Sequence, residues 1–271
     1  MKSITALGAL LICTAAQAAD LHPIVEVQGG YLFGAISDGK WIKADETAKL
    51  IGDETTYRVY ALTQALGDAK GDKPKRAVGP CEETLAVSLS PETEKGVIAI
   101  AAPWNALSRK PQVTDPTQKT YVDAVREFLR TKEIDQPKVK IDNIVRVDLD
   151  GNGEEEVLIS ATNYFSKDDR VPMRSPAGSY SMVLLRRVVA GRVETQLIVG
   201  EFYPKAYPKA AQEEGRFNAP NAYKVIATLD LDGDGKMEIV VGSDYYEGEE
   251  ITIYRCAPKK CEALLSVGCG A

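Results

Sequence analysis

One histidine, His22, serves the whole 271-residue chain. Catalysis that passes a proton through imidazole beside a serine or cysteine therefore has a single candidate, and it falls a few residues past an expected processing site, in a start that reads as flexible. The five cysteines include no CxxC pair, and Cys81, Cys256, Cys261 and Cys269 have no histidine near them in sequence, which argues against zinc. A glycine-rich phosphate cradle is also missing: Gly29-Gly30 and Gly34 are isolated glycines beside strand-like segments, the pattern of bulges. Past the N-terminal leader no apolar run reaches membrane-spanning length, so no membrane insertion is expected. Basic residues are outnumbered, 33 Lys and Arg against 39 Asp and Glu, which disfavours nucleic acid or an anionic membrane as a general partner.

Lys2, the apolar run 6–16 and the small-x-small triplet Ala16-Gln17-Ala18 have the form of an export signal at 1–18, cut after Ala18. The implied location is periplasmic or secreted. Cys13 follows the bulky Ile12, where a lipid-anchoring signal wants a small residue. Cleavage leaves Cys81, Cys256, Cys261 and Cys269, and in an oxidising compartment an even number favours disulfides, with three pairings open. The turn Ala257-Pro258-Lys259-Lys260 lets Cys256 face Cys261 across a hairpin, which leaves Cys81 for Cys269.

Residues 19–112 form a β-rich region. Segments 31–36, 56–62, 84–89 and 97–102 are rich in aromatic and β-branched residues between turn formers. Ser37-Asp38-Gly39-Lys40 has hairpin-turn chemistry, and 67–79 reads as a charged loop. Residues 113–138 hold one amphipathic helix, about 116–132, with Tyr121, Ala124, Val125, Phe128 and Leu129 on one face. Asp115 is its expected cap, Pro116 its first residue and Gln118 the partner in a capping box. Residues 139–271 then repeat a pattern of strand, acidic loop, strand and hairpin. Two connections, 163–178 and 201–221, are long enough to suggest a function of their own.

The acidic loops are Val147-Asp-Leu-Asp-Gly-Asn-Gly-Glu-Glu-Glu-Val157 and Leu229-Asp-Leu-Asp-Gly-Asp-Gly-Lys-Met-Glu-Ile239. The first offers side-chain oxygens from Asp148, Asp150, Asn152 and Glu156, and the backbone carbonyl of Glu154. The second offers Asp230, Asp232, Asp234 and Glu238, with the carbonyl of Lys236. Oxygen ligands at positions one, three, five, seven and nine suit Ca²⁺, which takes six to eight oxygens in irregular geometry. Glycines at positions four and six permit the positive φ that curls alternate ligands toward one centre. Two Ca²⁺ sites are expected. On ligand charge alone the second is the tighter, since Asn152 is neutral where Asp234 is not.

An EF-hand needs a bidentate glutamate at position twelve and a helix after it. Here position twelve is Ile159 or Val241, and Val157-Leu158-Ile159 and Ile239-Val240-Val241 are strand-like. A ninth-position acid followed at once by a strand resembles the FG-GAP (VCBS, integrin α-chain-like) repeat, over residues 139–267. The resemblance implies Ca²⁺-binding loops that join strands of propeller-like four-strand units, giving a mainly β fold. Two loops are fewer than a closed propeller carries, so closure stays open, with residues 19–112 as degenerate blades or a separate domain.

The function expected is structural or recognition of an unidentified protein or carbohydrate ligand. Tyr245, Tyr246, Tyr203 and Tyr207 lie on or beside loops where an aromatic face suits such a ligand, and Trp104-Asn105 with Arg109 forms another loop cluster. The alternative is a calcium-stabilised secreted hydrolase working through loop carboxylates such as Asp168, Asp169, Asp244 and Glu247. No spacing selects a pair among them, and no catalytic residue is assigned.

Overall fold

The computed structural model describes residues 20–164, 171–206 and 220–270; the expected export signal at 1–18, Asp168, Asp169 and Tyr207 fall outside them. The first part comprises β1 (Leu21–Glu26), β2 (Leu32–Ser37), β3 (Lys40–Lys43), α1 (Ala44–Leu50), β4 (Glu54–Ala61) and β5 (Gln64–Asp72), then the short β6 (Lys75–Arg76), β7 (Leu85–Ala86), β8 (Leu89–Ser90) and β9 (Ile98–Ile100). Seven of these strands make the first sheet, in the order β3-β2-β1-β9-β4-β5-β8. Asp38 and Gly39 both have positive φ, 48° and 73°, which gives the β2–β3 hairpin the twist of a primed turn.

The second sheet runs β10 (Gln112–Thr114), β11 (Ile141–Val147), β12 (Glu156–Thr162), β13 (Ser179–Val189), β14 (Arg192–Tyr203), with α2 (Lys119–Arg130) between its first two strands. The third is a meander of β15 (Ala222–Leu229), β16 (Glu238–Tyr245), β17 (Gly248–Ala257) and β18 (Lys260–Gly270). Among the described residues all strand pairs are antiparallel and none of the sheets closes on itself. The fold is mainly β.

Side chains on a strand alternate between faces, and β16 uses both. Val240 joins Ile24, Phe33 and Ile100 of the first sheet, whereas Ile239 and Val241 join Val145, Leu158 and Val183 of the second. The third sheet therefore lies between the other two, although it comes last in the chain. This is why Ile239-Val240-Val241 is apolar without a break. The outer face of the second sheet is covered by Val125 and Leu129 of α2, and that of the first by Ala44 and Ala48 of α1.

Several expectations change. Residues 67–79 are not one loop, because Gln64–Asp72 is strand β5 paired along β4. Its polar alternate positions face outward, while Ala69 is buried and Gly71 lies under the Tyr57 ring, where an added Cβ would come within 2.6 Å. Pairing there outweighs a weak strand propensity. Helix α2 starts at Lys119 rather than 116, and Gln118 is its N-cap without a side-chain cap bond. Asp115 instead accepts from the Thr117 N–H at 2.8 Å in a turn just ahead of the helix. Helix α1 was not foreseen.

His22 is not in a flexible start. It lies on β1, 7% exposed, with Nδ1 3.1 Å from the Ala101 carbonyl and its ring edge-on to Trp104. The chain enters a strand at Leu21, and His22 is part of it.

Both disulfides join the partners expected, Cys81–Cys269 and Cys256–Cys261. The first ties the 3₁₀ turn at Gly79–Cys81 to β18, across 188 residues of sequence. Loop-closure entropy sets an upper value of about 5 kcal/mol for such a link. Replacing Cys81 and Cys269 by serine together should lower unfolding stability by about 2–5 kcal/mol, measured by urea titration of the non-reduced proteins.

Candidate metal centre

The acidic loops join β11 to β12 and β15 to β16, and share four backbone-to-carboxylate or backbone-to-amide contacts at positions one, three, five and nine while differing at the first-position Oδ1. Asp148 Oδ1 accepts from Gly151 N–H at 2.7 Å and Asn152 N–H at 3.1 Å, and its Oδ2 from Gly153 N–H at 3.0 Å. In the second loop Asp230 Oδ2 accepts from Gly235 N–H at 3.1 Å. Asp150 and Asp232 each accept from the N–H two residues on, both at 3.2 Å. The ninth residue folds back over the loop: Glu156 Oε2 accepts from Leu149 N–H at 2.8 Å, and Glu238 Oε2 from Leu231 N–H at 2.9 Å. The glycines at positions four and six all have φ between 74° and 88°, the left-handed region that a Cβ penalises.

Each loop gathers three of its expected ligands. Oxygens of Asp148, Asp150 and Glu156 lie within 4.8 Å of one another, as do those of Asp230, Asp232 and Glu238. Position five turns to its own backbone, with Asn152 Oδ1 accepting from Glu154 N–H at 2.6 Å and Asp234 Oδ1 from Lys236 N–H at 2.8 Å. Glu154 and Lys236 thus enter the bonding of the loops through their N–H groups. The donor set is all oxygen, which suits a hard divalent cation. The second loop adds an observation of its own: Asp230 is 6% exposed and its Oδ1 has no hydrogen-bond partner. A buried carboxylate oxygen without a donor is costly unless something positive meets it.

The environment raises the proton affinity of the deepest acids. Glu238 is pushed up to about 7, first by burial and then by the charge of Asp232, with the Leu231 N–H and Arg255 opposing. Burial also raises Asp230, against the N–H groups of Gly233 and Gly235, and raises Glu156, against the Leu149 N–H.

A strap of irregular chain, residues 101–110, holds both loops. Tyr60 of β4 anchors it, its hydroxyl accepting from Ala106 N–H at 3.1 Å. Ala106 in turn accepts from Asp230 N–H at 2.8 Å, and Trp104 Nε1 donates to the Asp230 carbonyl at 2.8 Å. The Trp104 ring lies against Gly233, 3.2 Å from where a Cβ would stand. Arg109 reaches further, with Nε on the Asp148 carbonyl and Nη2 on those of Leu149 at 3.1 Å and Gly235 at 2.8 Å. The loops also touch directly through Met237 N–H to the Leu149 carbonyl, 2.8 Å. Trp104 and Arg109 stood out in the sequence, but nothing in their spacing named the loops as their partners.

Two arginines escaped the sequence altogether. Tyr254 of β17 pairs with Ile239, which places the next residue, Arg255, beside Glu238. Its Nη2 bridges Asp232 Oδ2 and Glu238 Oε1, the latter at 3.0 Å. Arg186 of β13 pairs with Val157, so Arg187 holds the matching place beside Glu156. Its Nη2 donates instead to Gln196 Oε1 at 3.2 Å. Unequal hairpin lengths hide this correspondence. A cleft of about 440 Å³ between the loops is lined by Asp150, Glu156, Arg187, Asp234, Glu238 and Arg255.

The other expected site residues are dispersed. Tyr203 donates to Glu201 Oε2 at 2.8 Å, and Tyr245 packs over Gly248 and Gly270, so neither presents a free face. Tyr246 is 46% exposed. Asp244 lies on β16 with its carboxyl raised by burial against Lys224, while Glu247 stands in the following turn.

Residues 223–254 match the FG-GAP repeat family. The matched segment runs from β15 through the second acidic loop into β17, and covers the second of the two units that resemble the repeat. No curated protein and no solved structure matches the chain.

Arg109→Ala removes a fork that joins three carbonyls and should cost about 3 kcal/mol in urea unfolding. Arg109→Lys should recover little of it, since a single ammonium cannot span both loops. Raised Glu238 sets a pH dependence in metal-free protein. Its contribution to stability is complete below its ordinary value of 4.5 and is lost as pH rises through about 7. In EDTA, Glu238→Gln should therefore flatten the fall in urea midpoint between pH 5 and 8; an unchanged slope would assign that fall to other groups.

Proposed function

We propose that this is an exported calcium-binding β-repeat protein with a structural or recognition role rather than a catalytic one. The observation that carries the reading is the pair of acidic loops, each closed by a buried ninth-position glutamate, with Asp230 Oδ1 of the second left without a donor. Asp148, Asp150 and Glu156 would hold one Ca²⁺, and Asp230, Asp232 and Glu238 the other. Asn152 with Glu154, and Asp234 with Lys236, complete the two loops.

Bound calcium would supply positive charge where the carboxylates converge. The protein's own residues do the rest. Glycines at positions four and six set the curl of each loop, the strap orients the second loop through Asp230, and Arg109 sets the distance between the two. Metal affinity then adds to the stability of the folded state, because an unfolded loop cannot gather the same oxygens. The consequence is a rigid seam between the second and third sheets, of use to a protein that presents a surface to a partner.

Three features support export: the leader-like N-terminus, the two disulfides and the FG-GAP match. No helix among the described residues is long and apolar enough to cross a membrane. A non-catalytic role is supported by His22, whose ring is engaged by Ala101 and Trp104. The ligand class stays as broad as protein or carbohydrate.

Calcium at a hundredfold over its dissociation constant should add about 2.7 kcal/mol for each site and raise the melting temperature by about 5–10 °C for each site filled. An identical melt in EDTA and in calcium, with no metal found in untreated protein by elemental analysis, would remove the metal reading.

A further inference from the structure

We infer that Arg255 is the resident cation of the second loop, which a divalent ion must displace to bind. The inference rests on the calcium reading above and concerns how that one site is controlled. The guanidinium bridges Asp232 and Glu238, two of the three carboxylates gathered there, while the third, Asp230, keeps an oxygen without a partner. One positive charge thus serves three acids, of which Asp230 and Glu238 are buried. It neutralises the side of the cluster it can reach and leaves the far oxygen unmet, so the loop is held in shape but not satisfied.

The first loop has no such occupant. Among the described residues no basic side chain makes a direct ion pair with Asp148, Asp150 or Glu156; Arg187, in the matching position on β13, donates to Gln196 and acts on Glu156 only through its charge at a distance. The two loops therefore differ in a way that ligand counting does not reveal. At the side-chain ligand positions one, three, five and nine, Asp234 gives the second loop one more negative charge than the first, and Arg255 offsets it.

Arg255 can leave without the backbone moving. Its neighbour Cys256 is bonded to Cys261, directly opposite on β18, which pins that end of β17. The side chain is about one-third exposed, its guanidinium carbon is 5.6 Å from the centre of the Trp41 ring, and it lines the cleft between the loops. A swing about the side-chain torsions keeps the aromatic face as a partner while freeing both carboxylates. Only an ion of higher charge density gains enough from the freed pair to drive the exchange, so the second loop responds to Ca²⁺ and not to Na⁺ or K⁺ at similar concentration.

Calorimetric titration of the purified chain with CaCl₂, in parallel for wild type and Arg255→Gln, tests this. If the guanidinium holds the site about nine-tenths of the time, the substitution should tighten one of the two sites about tenfold and leave the other unchanged. Nitrogen-15 spectra of the wild-type arginine Nε groups give a second reading, with the Arg255 signal identified by its loss in Arg255→Lys. That signal should shift on saturation with Ca²⁺, which decides the matter even if Arg255→Gln fails to fold. Equal affinities in the two proteins, or an Arg255 signal that stays in place at saturation, would overturn the inference and leave the calcium reading standing. Absence of Ca²⁺ binding in every variant would overturn the calcium reading and this inference with it.

Discussion

Arg109 places one planar guanidinium on the carbonyls of Asp148, Leu149 and Gly235, and the seam between the second and third sheets depends on that fork. The two loops belong to different sheets and carry like charge, so contact between them is electrostatically unfavourable unless donors are inserted. Carbonyl groups accept those donors without reducing the negative charge of the side chains. Arg109 thus joins the loops by their backbones and leaves their carboxylates for other work. Tyr60 fixes the strap that carries it, so the first sheet takes part in a junction between the other two.

This arrangement explains why the loops are acidic and still ordered. N–H groups of the glycine turns meet most carboxylate oxygens, and a ninth-position glutamate closes each loop from below. What is left over is Asp230 Oδ1 without a donor and a proton affinity raised by burial at Glu156, Asp230 and, most, Glu238. These mark the second loop as the place where charge is least settled.

Much of this was legible in the sequence because it is local. The acidic loops, the Ser37–Lys40 turn and the Cys256–Cys261 hairpin are encoded within a dozen residues, and the strand-like residues on either side mark what flanks them. Strand β5 was not legible, since Gln64–Asp72 has little intrinsic preference and becomes a strand only against β4. The start of α2 was misplaced because Asp115 caps a turn instead of the helix. Arg187 and Arg255 lay beyond reach for another reason: their roles come from cross-strand register, and hairpins of different length put them at different sequence distances from their loops.

The layer order has a consequence for how the molecule comes into being. The third sheet is last in the chain and yet forms the middle layer, with the first sheet on one face and the second on the other. While the chain is being made, the earlier sheets each carry an apolar face whose partner does not yet exist. Their contact surfaces are completed together, when residues 222–270 arrive and slide in between, and the Cys81–Cys269 link can close only then. Assembly is therefore dominated by contacts distant in sequence, which makes folding slow and leaves the incomplete chain open to association. A truncation within the last four strands would remove the filling from the sandwich, not its edge.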